Sequence, residues 1–289
     1  MGGPRRSGTR RRILDRLGLA LIVALAILAV APLFHILYVI TLRGAEAIAH
    51  IGLKRFIVDR PHPFNAENPG GIGPALLGTL ELSAATSATA TLIALPAAIL
   101  VAELRGSRIS RLTLLLALTL VELPTILVGL TAYAILVDHI VGHYNMLAGI
   151  LALTLVILPY IVVEASESLR QIPAGLREAA YSLGAPRTRT IYEVIAPAAR
   201  RGILVGILIG LARAAGETAP LLFTIGGAYE AYHTCLTSEG GAVPLMIYQF
   251  IQMPFKPARE LAWGASLVLL LIVVSIMVVA RLLVREVRL

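Results

Sequence analysis

The sequence predicts an all-α membrane protein, a bundle of six transmembrane helices with a short helix on the cytoplasmic side. Three observations predict it. Of the 289 residues, 57% are hydrophobic and 15% charged, and the mean hydropathy is +0.83. Soluble domains carry about 25% charged residues, so a chain this poor in charge cannot cover its apolar surface and needs lipid as part of its solvent. Charge sits in short clusters between long apolar runs, the pattern of spans separated by loops. Crossing a bilayer core takes about 20 apolar residues. Six runs suffice: roughly 17–42, 75–101, 112–137, 146–164, 202–226 and 260–283.

The first run follows Arg5, Arg6, Arg10, Arg11 and Arg12 and contains Ala29-Val30-Ala31, as a secretory signal would. It continues well past Ala31, whereas signal cores are about 7–15 residues long. It is therefore expected to remain as a span behind a cytoplasmic segment, residues 1–16, and to be followed by an external loop ending near residue 74. In the second run Ser83-Ala84-Ala85-Thr86-Ser87 is small and polar, which suits a packed interior helix whose hydroxyls bond the preceding turn. Pro96, Pro124, Pro159 and Pro220 fall inside runs and are expected as kinks that neighbouring helices tolerate. The external segment 43–74, with Pro61, Pro63, Pro69 and Gly70-Gly71, is expected to be irregular. Val243–Phe255 is too short to span and reads as interfacial or re-entrant.

The net charge of +8 is not a nucleic-acid footprint. Apart from Lys54 and Lys256 the basic residues are arginines placed beside apolar runs, where anionic lipid headgroups are their neighbours. With the N-terminus inside, cytoplasmic segments hold 18 basic residues and external ones six, with Arg213 left within a span. That bias places both termini in the cytoplasm. Cys235 is the sole cysteine, so neither an intrachain disulfide nor a Cys-based metal site exists. His139 and His143 beside Asp138 are at metal-ligand spacing, yet ordinary loop histidines account for them, and no metal or cofactor is expected. Glu81 and Glu122, in or near spans, are candidates for lining a path.

The longest cytoplasmic loop, about 165–201, carries a pattern. Pro173 suits a helix start, Leu176, Ala179, Ala180 and Leu183 share one face, and Gly184 can close the helix. A short external helix with an apolar face rests on lipid or docks on a partner. Glu178-Ala179-Ala180, then Gly184 and Ile195-x-Pro197, resembles the EAA loop of ABC-importer permeases, with Ala196 where Leu is usual. The resemblance implies a type I importer permease fold over 75–285, in which this loop forms the coupling helix seated on an ATP-binding subunit. The chain itself lacks a phosphate-binding P-loop, because neither lysine follows a glycine. It is expected to be a permease subunit and not an enzyme.

In the fifth run Gly202, Gly206, Gly210 and Ala214 form a close-packing ladder, and Arg213 and Glu217 are spaced to meet on one helical face. A buried Arg near mid-membrane usually faces a bundle interior or a water-filled path. The pair either fixes helix register or handles an anion: the guanidinium fork matches phosphate oxygens, and Glu217 holds Arg213 until an anion arrives and limits how tightly it is trapped. The segment Leu211-Ala212-Arg213-Ala214-Ala215-Gly216-Glu217-Thr218-Ala219-Pro220-Leu221-Leu222 closely resembles the fifth span of phosphate-importer permeases of the PstA type. Leu123–Leu130 and Gly71–Thr79 resemble that family's third span and second-span entry, and the likeness covers roughly 70–285. It implies phosphate as substrate and, as partners, a homologous second permease, two ATP-binding subunits and an external phosphate-binding protein. An importer of another oxyanion, a polytopic membrane enzyme and a passive channel are the rivals. The enzyme lacks a catalytic cluster, and the channel leaves the coupling loop unexplained.

Overall fold

The structure, a computed structural model, describes residues 7–233 and 235–285. Arg5, Arg6 and Arg288, counted above among the cytoplasmic basic residues, lie outside them. Helix α1 (Ser7–Ile51) runs unbroken through Pro32. Helix thus covers the described part of segment 1–16 together with the first span, and it continues past residue 43 to Ile51. Ala45, Glu46, Ala47 and Ala49 are strong helix formers that carry α1 onward. Gly44 lets α1 close on the last helix: a Cβ there would lie 2.5 Å from Leu267 Cβ and 2.9 Å from the Trp263 carbonyl. After α2 (Leu53–Val58), only the stretch to α3 (Gly73–Glu103) is irregular.

Helix α3 is the packed interior helix its small residues predict, burying Thr86, Ala90, Ala94 and Ala98 along one face. The hydroxyls divide. Thr79 and Thr91 donate to carbonyls one turn back, at 2.9 and 2.6 Å, whereas Ser83, Thr86 and Ser87 are buried without a partner. Helix α6 (Met146–Arg170) lies at the centre, packed on α3 and on several later helices. Ile157 and Ile161 of α6 sit against Ala90 and Ala94. Small residues on one side and β-branched ones on the other bring the backbones close, which drives association where lipid is as apolar as the core.

Two of the predicted spans are not single helices. The third is α4 (Arg108–Glu122) followed by α5 (Thr125–Ala132), which continues as π-helix over Tyr133–Val141, and the two parts are bent by 96°. The break falls at Leu123-Pro124, where Leu123 is extended, as the residue before a proline prefers. The fifth is α10 (Arg200–Gly216), then extended Glu217, then α11 (Ala219–Thr224) with Pro220 in its first turn. Pro124 and Pro220 thus open new helices instead of kinking old ones, because a proline loses no hydrogen bond at a helix start.

At the arginine-rich end of the bundle lie α7 (Ala174–Ser182), the short α8 (Arg187–Arg189), a π-turn over Thr190–Ile195, and α9 (Ala196–Ala198). This segment meets α10 at 70°. Helix α12 (Val243–Ile251) is nine residues long, too short to cross, and buries Val243, Leu245, Met246 and Phe250. Helix α13 (Lys256–Arg285) closes the bundle against α1, α10 and α12. Among the described residues four helices are long and apolar enough to cross alone, and up to six spans result if Arg108–Glu122 with Thr125–Val141, and Arg187–Ala198 with α10, each count as one.

Candidate functional site

The segment that carries the Glu178–Gly184 pattern is built from a helix that the sequence both starts and stops. Pro173 stands just outside α7, one position earlier than the N1 site predicted, and Gly184 closes it at φ 80°. The Gly184 N–H donates to Tyr181 O at 2.9 Å and the Ala185 N–H to Ala180 O at 3.1 Å, a Schellman pair that satisfies two end carbonyls. Ala180 is the helix's buried residue, while Glu178 and Ala179 face outward. The apolar face is open: Leu183 is 88% exposed and Leu176 43%. Pro197 is exposed in α9, and Ile195, two residues earlier, is fully buried with Ala98, Ala102, Ala165 and Leu169. The isoleucine plugs the segment into the ends of α3 and α6, and the proline stays at the surface.

The glycine ladder of α10 packs on α6. A Cβ at Gly202 would lie 2.6 Å from Ser168 Cβ, at Gly206 2.9 Å from Glu164 Cβ, and at Gly210 3.0 Å from Ile161 Cγ1. Arg213 stands beside this seam. It is 13 residues into α10, about 20 Å along the helix axis, so it is deep within a core of about 30 Å. Its guanidinium carbon lies 4.6 Å from the centre of the Tyr160 ring of α6, a cation–π arrangement.

The Arg213 and Glu217 heads do meet, with Nη2 to Oε1 at 3.2 Å, but not along one helical face. Helix α10 ends at Gly216, and Glu217 occupies the extended link before α11. Its carboxylate also lies near the side chain of Thr125, the first residue of α5. The breaks of the third and fifth spans therefore adjoin, and they pack closely: a Cβ at Gly129 of α5 would lie 2.7 Å from Pro220 Cα in α11. Interrupted helices around an ion-handling residue are a recurrent way of placing helix ends inside a membrane. The Arg213 side chain is 38% exposed, that of Glu217 13%, and Arg213 Nε is buried with no hydrogen-bond partner. An unsatisfied donor of a charged group is costly, and an oxyanion would satisfy it.

The remaining candidates are placed elsewhere. The Glu81 carboxylate meets His233 Nε2 near the outer end of α3, with His233 almost wholly buried. Glu122 is exposed at the end of α4. His139 bonds Asp138 and the Ala134 carbonyl, while His143 bonds the Tyr144 carbonyl. Among the described residues no three His, Cys, Asp or Glu side chains gather. Sequence reasoning missed Arg177 and Glu103, which form an ion pair at 2.9 Å with side chains only 16% and 9% exposed. They stand 74 residues apart, and no local pattern joins them.

A family model described as "Binding-protein-dependent transport system inner membrane component" matches residues 94–289. The chain is similar to the probable phosphate transport system permease protein PstA of Methanocaldococcus jannaschii, 42% identical over 282 residues and 96% of each chain. It is also similar to the phosphate transport system permease protein PstA of Pasteurella multocida, 34% identical over 90% of this chain and 92% of that one. Among solved structures, the inward-facing MetNI methionine ABC transporter matches with a TM-score of 0.60 at 23% identity, covering 74% of this chain and 95% of that one. That likeness fixes the fold as the one read from the EAA loop. On the family model and on relatives of this identity and coverage, the chain belongs to the inner-membrane components of binding-protein-dependent transport systems.

Proposed function

We propose that this chain is the permease subunit through which an ATP-driven importer carries inorganic phosphate across the cell membrane. It is a transport subunit and not an enzyme. Relatives at 42% and 34% identity are phosphate transport permeases, and their likeness runs over nearly the whole chain. The observation that carries the substrate reading is the unpartnered Nε of the Arg213 guanidinium beside two interrupted spans. Glu217 and Tyr160 hold it from two sides. An arriving phosphate offers oxygens that fit the fork, while Glu217 repels the anion once it has displaced the pair, so transit wins over trapping.

The same reading supplies partners: a second, homologous permease, two ATP-binding subunits docked on Glu178–Gly184, and an external phosphate-binding protein. The bend segments at 104–107 and 170–187 share one end of the bundle, bonded to each other, which is the end rich in arginine. The positive-inside bias places that end and both termini in the cytoplasm. Phosphate uptake into vesicles carrying the complete transporter tests the substrate claim. Arg213→Ala should lower uptake about 10- to 100-fold, because a charge-assisted hydrogen bond contributes about 1.5–3 kcal/mol. Undiminished uptake in a properly assembled variant would remove Arg213 from the pathway.

A further inference from the structure

We infer that the Arg177–Glu103 ion pair is the joint by which the coupling helix moves α3, and that α3 carries the movement to the outer mouth. This rests on α7 docking on an ATP-binding subunit. A helix ends with four carbonyls that lack intrahelical partners. In α3 all four are taken. Leu100 O accepts from the Leu104 N–H at 3.1 Å, and Val101 O from the Ser110 hydroxyl at 3.2 Å and Arg170 Nη2 at 3.1 Å. Ala102 O accepts from Arg105 Nε at 3.2 Å and Glu103 O from Arg187 Nη2 at 3.0 Å.

Three of those donors are arginines, and two of them, Arg170 and Arg187, come from the end of α6 and beyond it. Arg105 also donates to Arg170 O at 3.0 Å, at the end of α6. Arg177, one turn into α7, completes the unit. Its Nη1 donates to Ile172 O at 2.8 Å, its Nη2 to Leu169 O at 3.0 Å, and its Nε and Nη2 to the Glu103 carboxylate at 3.3 and 2.9 Å. The start of α7 is thereby bonded to the ends of both α3 and α6. A buried ion pair adds little net stability over apolar packing, since desolvation offsets the attraction, and its best-attested use is to fix register. Here the register fixed is that of α7 on α3.

The other end of α3 is tied as well. Thr79 Oγ1 accepts from the Val243 N–H at 2.7 Å, and Glu81 meets His233. His233 belongs to the loop lining an outer cavity of 1440 Å³, together with Arg60, Tyr229 and Glu239. A single helix of 31 residues thus joins the coupling helix to the outer mouth. Packed helices move as bodies between discrete arrangements and do not deform continuously, so a push on α7 reaches this cavity through α3.

The experiment compares wild type with Glu103→Gln and Glu103→Asp in the reconstituted transporter, measuring phosphate moved and ATP hydrolysed per assembled complex. In Glu103→Gln, Arg177 keeps its two carbonyl partners, so the complex should still assemble. Phosphate moved per ATP should fall about tenfold, within the usual range of coupling between sites. Glu103→Asp, which keeps the charge, should recover a substantial part. An unchanged ratio per complex in Glu103→Gln, whether or not the amount of complex falls, would make the pair a purely structural contact and overturn the inference. Failure of the underlying reading is distinct: wild type would then neither bind ATP-binding subunits nor take up phosphate.

Discussion

Arg213 has two neighbours of different kinds, a carboxylate and an aromatic face, and its Nε has no hydrogen-bond partner. The open Nε is a donor that an oxyanion could satisfy. Replacing Arg213 by Lys keeps the charge and loses the planar fork, so partial uptake is expected. Glu217→Gln frees the guanidinium, and phosphate should then be held longer and released more slowly. The double change Arg213→Met with Glu217→Gln separates the two roles. Near-normal uptake there would reduce the pair to scaffolding, whereas loss of uptake in a stable, assembled protein supports anion handling. The residues themselves were legible in the sequence, since a charged pair in an apolar run stands out. Tyr160 and Thr125 were not, because an aromatic or a hydroxyl in a span carries no mark of which helix end it will face.

Two elements carry measurable consequences. The α10–α6 seam leaves no room for side chains on the ladder, so Gly206→Leu should destabilise the subunit. Overpacking a well-filled contact costs about 1–3 kcal/mol, which should lower the thermal unfolding midpoint in detergent. A midpoint at the wild-type value would mean that the seam opens freely. Helix α7 is the opposite case. A Cβ at Gly184 meets nothing within 4 Å of its own chain, although φ is 80°. Gly184→Trp should therefore cost the isolated subunit only about 1–2 kcal/mol of backbone strain and leave it inserted. Its bulk falls on the docking face, so ATP hydrolysis should be uncoupled from transport, and tight coupling in that variant would refute the docking face. Both elements were readable in the sequence. Small residues at four-residue spacing line one face of a helix for close approach, and a glycine after an amphipathic turn marks where that turn ends.

At the scale of the molecule, turns sort to two ends, with 139–146 and 225–255 opposite the arginine-rich end. Cys235 lies exposed in the outer set, its Sγ 3.1 Å from the Thr237 hydroxyl. That hydrogen bond holds the thiol below its usual range, so more of it is thiolate near neutral pH. A membrane-impermeant thiol reagent should label Cys235 in intact cells at pH 7, and labelling only after permeabilisation would reverse the topology. The sequence by itself determined that the chain is a helical membrane bundle, where its main spans lie and where the short amphipathic helix between spans starts and stops. Apolar length, basic asymmetry and helix-end chemistry are local quantities that each segment carries alone. Only the tertiary structure decided that Pro124 and Pro220 break spans, for a proline in an apolar run reads the same whether it kinks a helix or starts one. At both breaks the chain is packed: a Cβ at Gly129 of α5 would lie 2.7 Å from Pro220 Cα in α11. The structure alone likewise joined Arg177 to Glu103, because a contact across 74 residues exists only once α3 and α6 have brought their ends together.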